Sequence, residues 1–260
     1  MYQNIMLAKV YKQEDPSDYA VSEKLDGVRA IWDGKRRTFL TRQGKIINAP
    51  EWFTSALGRV DLDGELFSGR GRFDKVSGAI RRITPNDIEW QDIEFHVFDI
   101  PNQSDSFAVV CDDIEYYIGD MKAPHIKAVI QHSVESAKAL DGLFDVIVKN
   151  GGEGLMLRRW NSVNQDGRSS DLLKYKPHRD AEAVIVGYTE GKGKYTGLVG
   201  ALIVQMPDGT QFNVGSGLTD EMRMYPPAIG TVITYNYMEH TKAGVPRQPT
   251  LARVHLGGKV

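Results

Sequence analysis

The grain of this sequence changes at Pro177-His178-Arg179-Asp180. From Ala181 onward the apolar segments are short, β-rich and separated by turns: Ala183-Val184-Ile185-Val186, Val199 to Met206, Gln211 to Val214 and Val232 to Tyr237. Pro207-Asp208-Gly209 reads as a hairpin turn and Leu218 to Arg223 as a short helix. Roughly five strands in about 80 residues is the pattern of a small β-barrel such as an OB-fold. A chain of 260 residues has room for that barrel and one larger domain, each burying its own core. The boundary is therefore drawn at residue 180, with domains over 1–180 and 181–260.

The larger segment mixes periods. Val28 to Ile47 reads as a hairpin, with Asp33-Gly34 between alternating apolar residues and a second turn at Gln43-Gly44. Pro50 to Leu57 predicts a short helix with proline near its first turn. Val60 to Phe67, Ile93 to Ile100 and Ile126 to Ser133 read as strands, and Phe73 to Arg82 as an amphipathic helix. Ser133-Val134-Glu135-Ser136 opens a helix that runs to Asn150 and is ended by Gly151-Gly152. Two further strands follow, Glu153 to Arg159 and Asp171 to Lys176. Such a mixture predicts an α+β or α/β body.

Composition removes several classes. The apolar fraction of 41% and charged fraction of 25% are those of a globular protein. No apolar run is long enough to cross a bilayer, and Met1 to Lys12 lacks the apolar core of a secretory signal. A single cysteine, Cys111, excludes intramolecular disulfides and thiolate-rich zinc sites, and reads as a small buried apolar residue in a reducing compartment. The six histidines show no ligand spacing. A net charge of −2 does not suggest nucleic acid, but basic residues cluster at Lys35-Arg36-Arg37, Arg70 and Arg72, Arg81-Arg82, Arg158-Arg159, and Lys192 and Lys194. These are either solvated faces or parts of one phosphate-tracking surface.

The stretch Ser22-Glu23-Lys24-Leu25-Asp26-Gly27-Val28-Arg29-Ala30 carries the chemistry. A lysine amine has a free pKa of about 10.4 and must be shifted by burial or neighbouring positive charge before it can act as a nucleophile. Lys24 follows the strand-like Tyr19-Ala20-Val21-Ser22 and precedes an Asp-Gly turn, where backbone and Arg29 both reach a bound phosphate. Downstream, Asp63-Gly64-Glu65-Leu66 places Asp63 and Glu65 on one face of a strand. Glu153-Gly154-Leu155-Met156 begins another strand with a carboxylate. Lys174-Tyr175-Lys176 sets two ammonium groups on one face, either protecting an edge strand or clamping a phosphate. Arg247-Gln248-Pro249 and Arg253 either reach pyrophosphate or decorate a C-terminal strand. One amine, several cations and separated carboxylates are what nucleotidyl transfer from a metal-bound nucleotide requires. Gly191-Lys192-Gly193-Lys194-Tyr195 lacks the spacing of a phosphate-binding P-loop and reads as a turn in the barrel, its lysines available to nucleic-acid phosphates. The signature set of a protein kinase is absent.

The ordered series Lys24-x-Asp26-Gly27-x-Arg29, Asp63-Gly64-Glu65, Phe98-Asp99, Glu153-Gly154-Leu155-Met156, Lys174-x-Lys176 and Arg247-x-Pro249 resembles covalent nucleotidyltransferases, and specifically ATP-dependent DNA ligases. The resemblance spans nearly the whole chain. It implies an α+β nucleotidyltransferase (ATP-grasp-like) domain followed by a small all-β OB domain. By the same resemblance Lys24 attacks the α-phosphorus of ATP, expels pyrophosphate and holds AMP as a phosphoramidate. Glu23 helps to recognise adenine through its backbone. Arg29 contacts the ribose and later the nick 5′-phosphate, which Arg42 of Thr41-Arg42-Gln43-Gly44 also binds. Glu65 binds the ribose hydroxyl or a metal, Phe98 stacks on adenine, and Glu153 serves the catalytic metal, Mg2+ or Mn2+. Lys174 and Lys176 hold the α-phosphate, and Arg247 and Arg253 orient pyrophosphate. AMP then passes to the nick 5′-phosphate and is displaced by the 3′-hydroxyl. The implied partner is nicked double-stranded DNA, and the implied protein a cytoplasmic monomer with no membrane association.

Departures from the larger relatives follow. The chain starts some two dozen residues before Lys24, too few for their N-terminal DNA-binding domain, which predicts the minimal two-domain type of bacteria and their viruses. The zinc module and BRCT region of NAD-dependent ligases are missing, which favours ATP. The C-terminus lacks a clear Asp-Lys pair, leaving Lys259 as its substitute. RNA ligases and GTP-using mRNA capping enzymes share the lysine motif, and a catalytically silent DNA-binding module is the alternative from another class. Thr41-Arg42-Gln43-Gly44 is more typical of DNA ligases.

Overall fold

A computed structural model describes residues 5–177, 179–237, 240–241 and 243–255. His178 and Lys259 lie outside them. The chain forms two compact units, Met1–Lys176 and Pro177–Val260.

Among the described residues the first unit holds two sheets. The strands are β1 (Met6–Val10), β2 (Tyr19–Glu23), β3 (Val28–Asp33), β4 (Thr38–Thr41), β5 (Ile46–Ile47), β6 (Leu62–Phe67), β7 (Glu94–Asp99), β8 (Ile126–Ala128), β9 (His132–Ser133), β10 (Leu155–Arg159) and β11 (Gly167–Tyr175). They pair in the orders β1-β11-β10-β2-β9 and β5-β4-β3-β6-β7-β8. The helices are α1 (Glu51–Thr54), α2 (Phe73–Ile80), α3 (Asp87–Trp90), α4 (Phe107–Asp120) and α5 (Ala137–Lys149).

The period of two decides what each sheet offers to either side. In the six-stranded sheet Ala30, Trp32, Leu62, Leu66, Phe95 and Val97 enter one core with residues of α1 to α4. Their neighbours Arg29, Asp63, Glu65 and Phe98 take the opposite face. In the five-stranded sheet Tyr19, Val21, Leu155, Leu157 and Leu173 pack under α5, where Phe144 stacks on Tyr175 at 3.9 Å. That leaves Ser22, Met156, Arg158, Leu172 and Lys174 on the inner side, lining a cleft with Arg29, Glu65 and Phe98.

Two sequence expectations change. Ile126 to Ser133 is two strands: β8 runs parallel to β7 in one sheet, and β9 pairs antiparallel with β2 in the other. The chain crosses between sheets at Val129-Ile130-Gln131, where Ile130 is exposed. Helix α4 was not foreseen, although Phe107, Val110, Cys111, Ile114 and Ile118 recur at helical spacing behind Ser106 and pack on the core. Lys174 and Lys176 do not guard an edge, because β11 lies between β1 and β10.

The second unit is built from β12 (Arg179–Glu190), β13 (Val199–Gln205), β14 (Gln211–Val214), β15 (Val232–Tyr237) and β16 (Thr250–Val254), with α6 (Asp220–Met224). The antiparallel order is β14-β13-β12-β15-β16. Ladder shifts in β12 at Ile185/Gly187 and Thr189/Glu190 bend this long strand. The two end strands meet through a Ser216–Thr250 bridge, where Leu251 N–H donates to Ser216 O at 2.9 Å. The result is a curled barrel around Ile185, Leu202, Val204, Val214, Ile233 and Tyr235. Among the described residues no helix is long and apolar enough to cross a membrane.

Candidate active site

Lys24 leaves β2 on the cleft side of the five-stranded sheet. Its N–H donates to Gly154 O at 2.9 Å, which extends the β2–β10 ladder by one bond. Its Nζ donates to Glu153 Oε2 at 2.5 Å, and Lys176 at the end of β11 donates to the other oxygen. Glu153 is thus a carboxylate shared by two ammonium groups. Burial pushes the Lys176 amine below the usual lysine range, and the charge of Lys24 adds to the effect. Two glycines make the approach possible. Gly154 has φ 134°, and a Cβ there would stand 2.1 Å from Tyr175 O; a Cβ on Gly27 would stand 2.2 Å from Leu66 O.

Arg29 projects from β3 across to β6. Its Nε and Nη2 fork onto Asp63 at 2.9 and 2.6 Å, and Nη1 donates to Met6 O at 2.9 Å. Asp63 is 1% exposed, so this is a buried bidentate pair. Glu65, two residues along the same face, makes no hydrogen bond among the described residues. Burial pushes its carboxyl up to about 8, against the pull of Lys24 and Arg29. Phe98 lines the cleft with the Arg29 guanidinium 5.3 Å from its ring centre. Behind it Asp99 accepts from Arg158 Nη1 at 2.7 Å and Asn164 Nδ2 at 2.9 Å, while Arg158 also lies 4.1 Å over the Phe107 ring.

The cleft measures about 340 Å³. Of the residues singled out in the sequence, Glu23, Lys24, Arg29, Arg42, Glu65, Phe98 and Lys174 line it. Glu153 and Lys176 join through Lys24 and each other. Arg42 sits exposed at the turn between β4 and β5. Arg247 and Arg253 belong to the second unit, Arg253 exposed on β16. Sequence reasoning missed the Asp99–Arg158 pair and the partner of Glu23, which is Arg70 at 2.7 Å. Pairings between distant strands leave no local signal.

Glu65 and Glu153 suit a hard cation that also binds phosphate oxygens. Glu65 lines the cleft and Glu153 joins it through Lys24, and a site of one or two carboxylates plus substrate phosphates is how Mg2+ is usually held. The half-buried Glu65 carboxyl, which accepts no hydrogen bond among the described residues, is the better fitted of the two, since a cation there would supply the charge it lacks.

A family model described as DNA ligase OB-like domain matches residues 190–255, most of the curled barrel. A DNA ligase of Haemophilus influenzae is 32% identical over 250 residues, covering 96% of this chain and 91% of that enzyme. A solved structure from a structure–function study of Lig E DNA ligases superposes with a TM-score of 0.90 at 34% identity, covering 98% of this chain and 100% of that one. The fold alone is shared with a Chlorella virus DNA ligase-adenylate, TM-score 0.56 and 22% identity, over 97% and 98% of the two chains. The first unit is therefore a nucleotidyltransferase domain and the second an OB domain. With that architecture and those relatives, the chain belongs to the DNA ligase family and is an enzyme of that kind.

Proposed function

We propose that the enzyme uses ATP to seal 5′-phosphate/3′-hydroxyl nicks in duplex DNA through AMP carried on Lys24. The observation that carries this reading is the Lys24 ammonium at the mouth of a nucleotide-sized cleft, held by Glu153 at 2.5 Å with Lys176 on the same carboxylate. For attack, Lys24 Nζ gives up a proton, and Glu153 is the base it already touches. The Nζ–Pα bond forms as the bond from Pα to the bridging oxygen breaks, and pyrophosphate leaves with that electron pair. Lys174 and Lys176 would offset charge on the α-phosphate. Phe98 would offer a ring face to adenine, the Glu23 backbone would border the base, and Arg29 would contact the ribose. Arg247 and Arg253 are assigned to pyrophosphate from the OB domain.

In the second step the nick 5′-phosphate takes AMP from Lys24, with Arg42 and Arg29 as its ligands, and Lys24 regains a proton. In the third the 3′-hydroxyl attacks the activated phosphate and AMP leaves. Glu65 and Glu153 would hold Mg2+ or Mn2+, which supplies Lewis-acid charge to the phosphates. The duplex contacts are assigned to other exposed basic residues, among them Arg72, Arg81, Arg82, Arg168, Lys192 and Lys194.

Incubation with α-labelled ATP, then GTP, followed by nicked DNA or RNA tests the reading. Label is expected on wild-type protein from ATP and its transfer to nicked DNA, with Lys24→Ala unlabelled yet able to seal pre-adenylylated nicks. Label retained by Lys24→Ala would sink it.

A further inference from the structure

Arg70 has no part in the steps above, yet it joins the two segments on which they depend. It lies between β6 and α2, flanked by Gly69 at φ 101° and Gly71 at φ 68°. Its Nε and Nη2 fork onto Glu23 at 2.7 and 2.8 Å, and its Nη1 donates to Asn150 O at 3.0 Å. Every nitrogen of the guanidinium is thereby engaged.

The two partners are not arbitrary. Glu23 is the residue before Lys24. Asn150 caps α5 and is followed by Gly151-Gly152 and then Glu153. The glycine pair carries the chain off the helix, with Gly151 at φ 82°. Gly151 N–H on Val148 O and Gly152 N–H on Ile147 O, both at 2.9 Å, tie it back to α5, and Lys24 N–H on Gly154 O holds the far side of Glu153. Arg70 adds a side-chain tie on the near side, at Asn150 O. The fork on Glu23 ties the same guanidinium to the strand end that carries Lys24.

We infer that Arg70 is a positioning residue that keeps Lys24 and Glu153 in register by tying the Glu23 carboxylate ahead of one to the Asn150 carbonyl ahead of the other. A lysine could not do this, because one ammonium lacks the planar fork that holds a carboxylate and a carbonyl together. A guanidinium can also bind a DNA phosphate. Arg70 is one-third exposed, but three of its five N–H groups, one on each nitrogen, are already engaged with the protein, which favours positioning.

The inference rests on the lysyl-AMP reading and is tested with single-turnover self-adenylylation and nicked-DNA binding. Arg70→Ala is expected to slow adenylylation at saturating ATP by about tenfold or more, since displacements of the order of 1 Å carry large rate penalties. Half-saturating ATP should move less than about twofold, and nick affinity and its salt slope should stay as in the wild type. Arg70→Lys should restore only part of the rate, and Glu23→Gln should reproduce part of the loss. Reduced nick affinity with a smaller salt slope and normal adenylylation would make Arg70 a phosphate ligand and overturn the inference. So would a wild-type adenylylation rate in Arg70→Ala, or a rate loss that disappears when the variant is assayed well below its melting temperature. Absence of label on Lys24 in the wild type would instead sink the lysyl-AMP reading itself.

Discussion

Lys24 and Glu153 are 129 residues apart in the chain and 2.5 Å apart in the fold. The contact closes a triad of charges, since Glu153 also accepts from Lys176. Glu153 neutralises the amine proposed to attack and keeps a second cation beside it. Glu153→Gln preserves size and removes both the counter-charge and the base. Self-adenylylation is expected to fall about 10²-fold or more, the scale of a lost acid–base group. Single-turnover labelling with saturating ATP checks it, and a rate within about twofold of wild type would reject the assignment.

Glu65 makes stability depend on pH. Its carboxyl is pushed up to about 8 in the fold from an ordinary 4.5, first by burial. The folded state therefore binds a proton that the unfolded chain has released between those values. The stability this proton contributes is complete below pH 4.5 and lost as pH rises through 8. In EDTA, Glu65→Gln is expected to gain on the wild type in melting temperature as pH climbs from 5 to about 8.5. Parallel melting curves across that range would count against a raised Glu65 carboxyl.

Arg29 and Asp63 form a buried fork, and the two ways of removing it should differ. Arg29→Ala leaves Asp63, 1% exposed, without its counter-charge, and is expected to cost about 3–5 kcal/mol. Arg29→Met combined with Asp63→Leu removes both charges and should recover much of that loss, because neither needs solvation. Urea denaturation of the two variants decides the matter.

The motifs that gather at the cleft were legible because each packs its charged residues into a few adjacent positions. Lys24 with Asp26-Gly27, and Glu153 with Gly154, sit at strand ends where a charged side chain can turn into a cleft. The barrel was legible from short strands and turns after Ala181. What failed to show was pairing. Nothing near Arg158 reveals Asp99, 59 residues earlier on another sheet. Arg70 reads as one more surface cation until Glu23 and Asn150 are seen beside it. The split of Ile126 to Ser133 also follows from sheet geometry, since only neighbouring strands decide where the chain must cross. Helix α4 was the exception. Its apolar spacing is present in the sequence, interleaved with the acidic residues Asp112, Asp113 and Glu115.

The OB domain presents its basic turn in a fixed frame. Arg223, buried, donates from Nη1 to Val199 O at 2.9 Å and Gly200 O at 2.6 Å, and from Nη2 to Gly215 O at 2.8 Å. The Tyr195 ring has Arg223 at 4.1 Å and the Lys194 ammonium at 4.5 Å. Lys192 and Lys194 are exposed on that turn. Replacing both with alanine is expected to weaken nicked-DNA binding and reduce the slope of log affinity against log salt by about 2, roughly one per lost phosphate contact. Self-adenylylation should be untouched. Arg223→Ala should give a similar binding loss and also lower the melting temperature, because three carbonyls lose their donor. Binding isotherms at several salt concentrations test the pair. An unchanged slope in the double alanine variant would place the duplex elsewhere on the molecule, and a slope lost only in Arg223→Ala would make the turn's order, rather than its charge, the quantity that DNA reads.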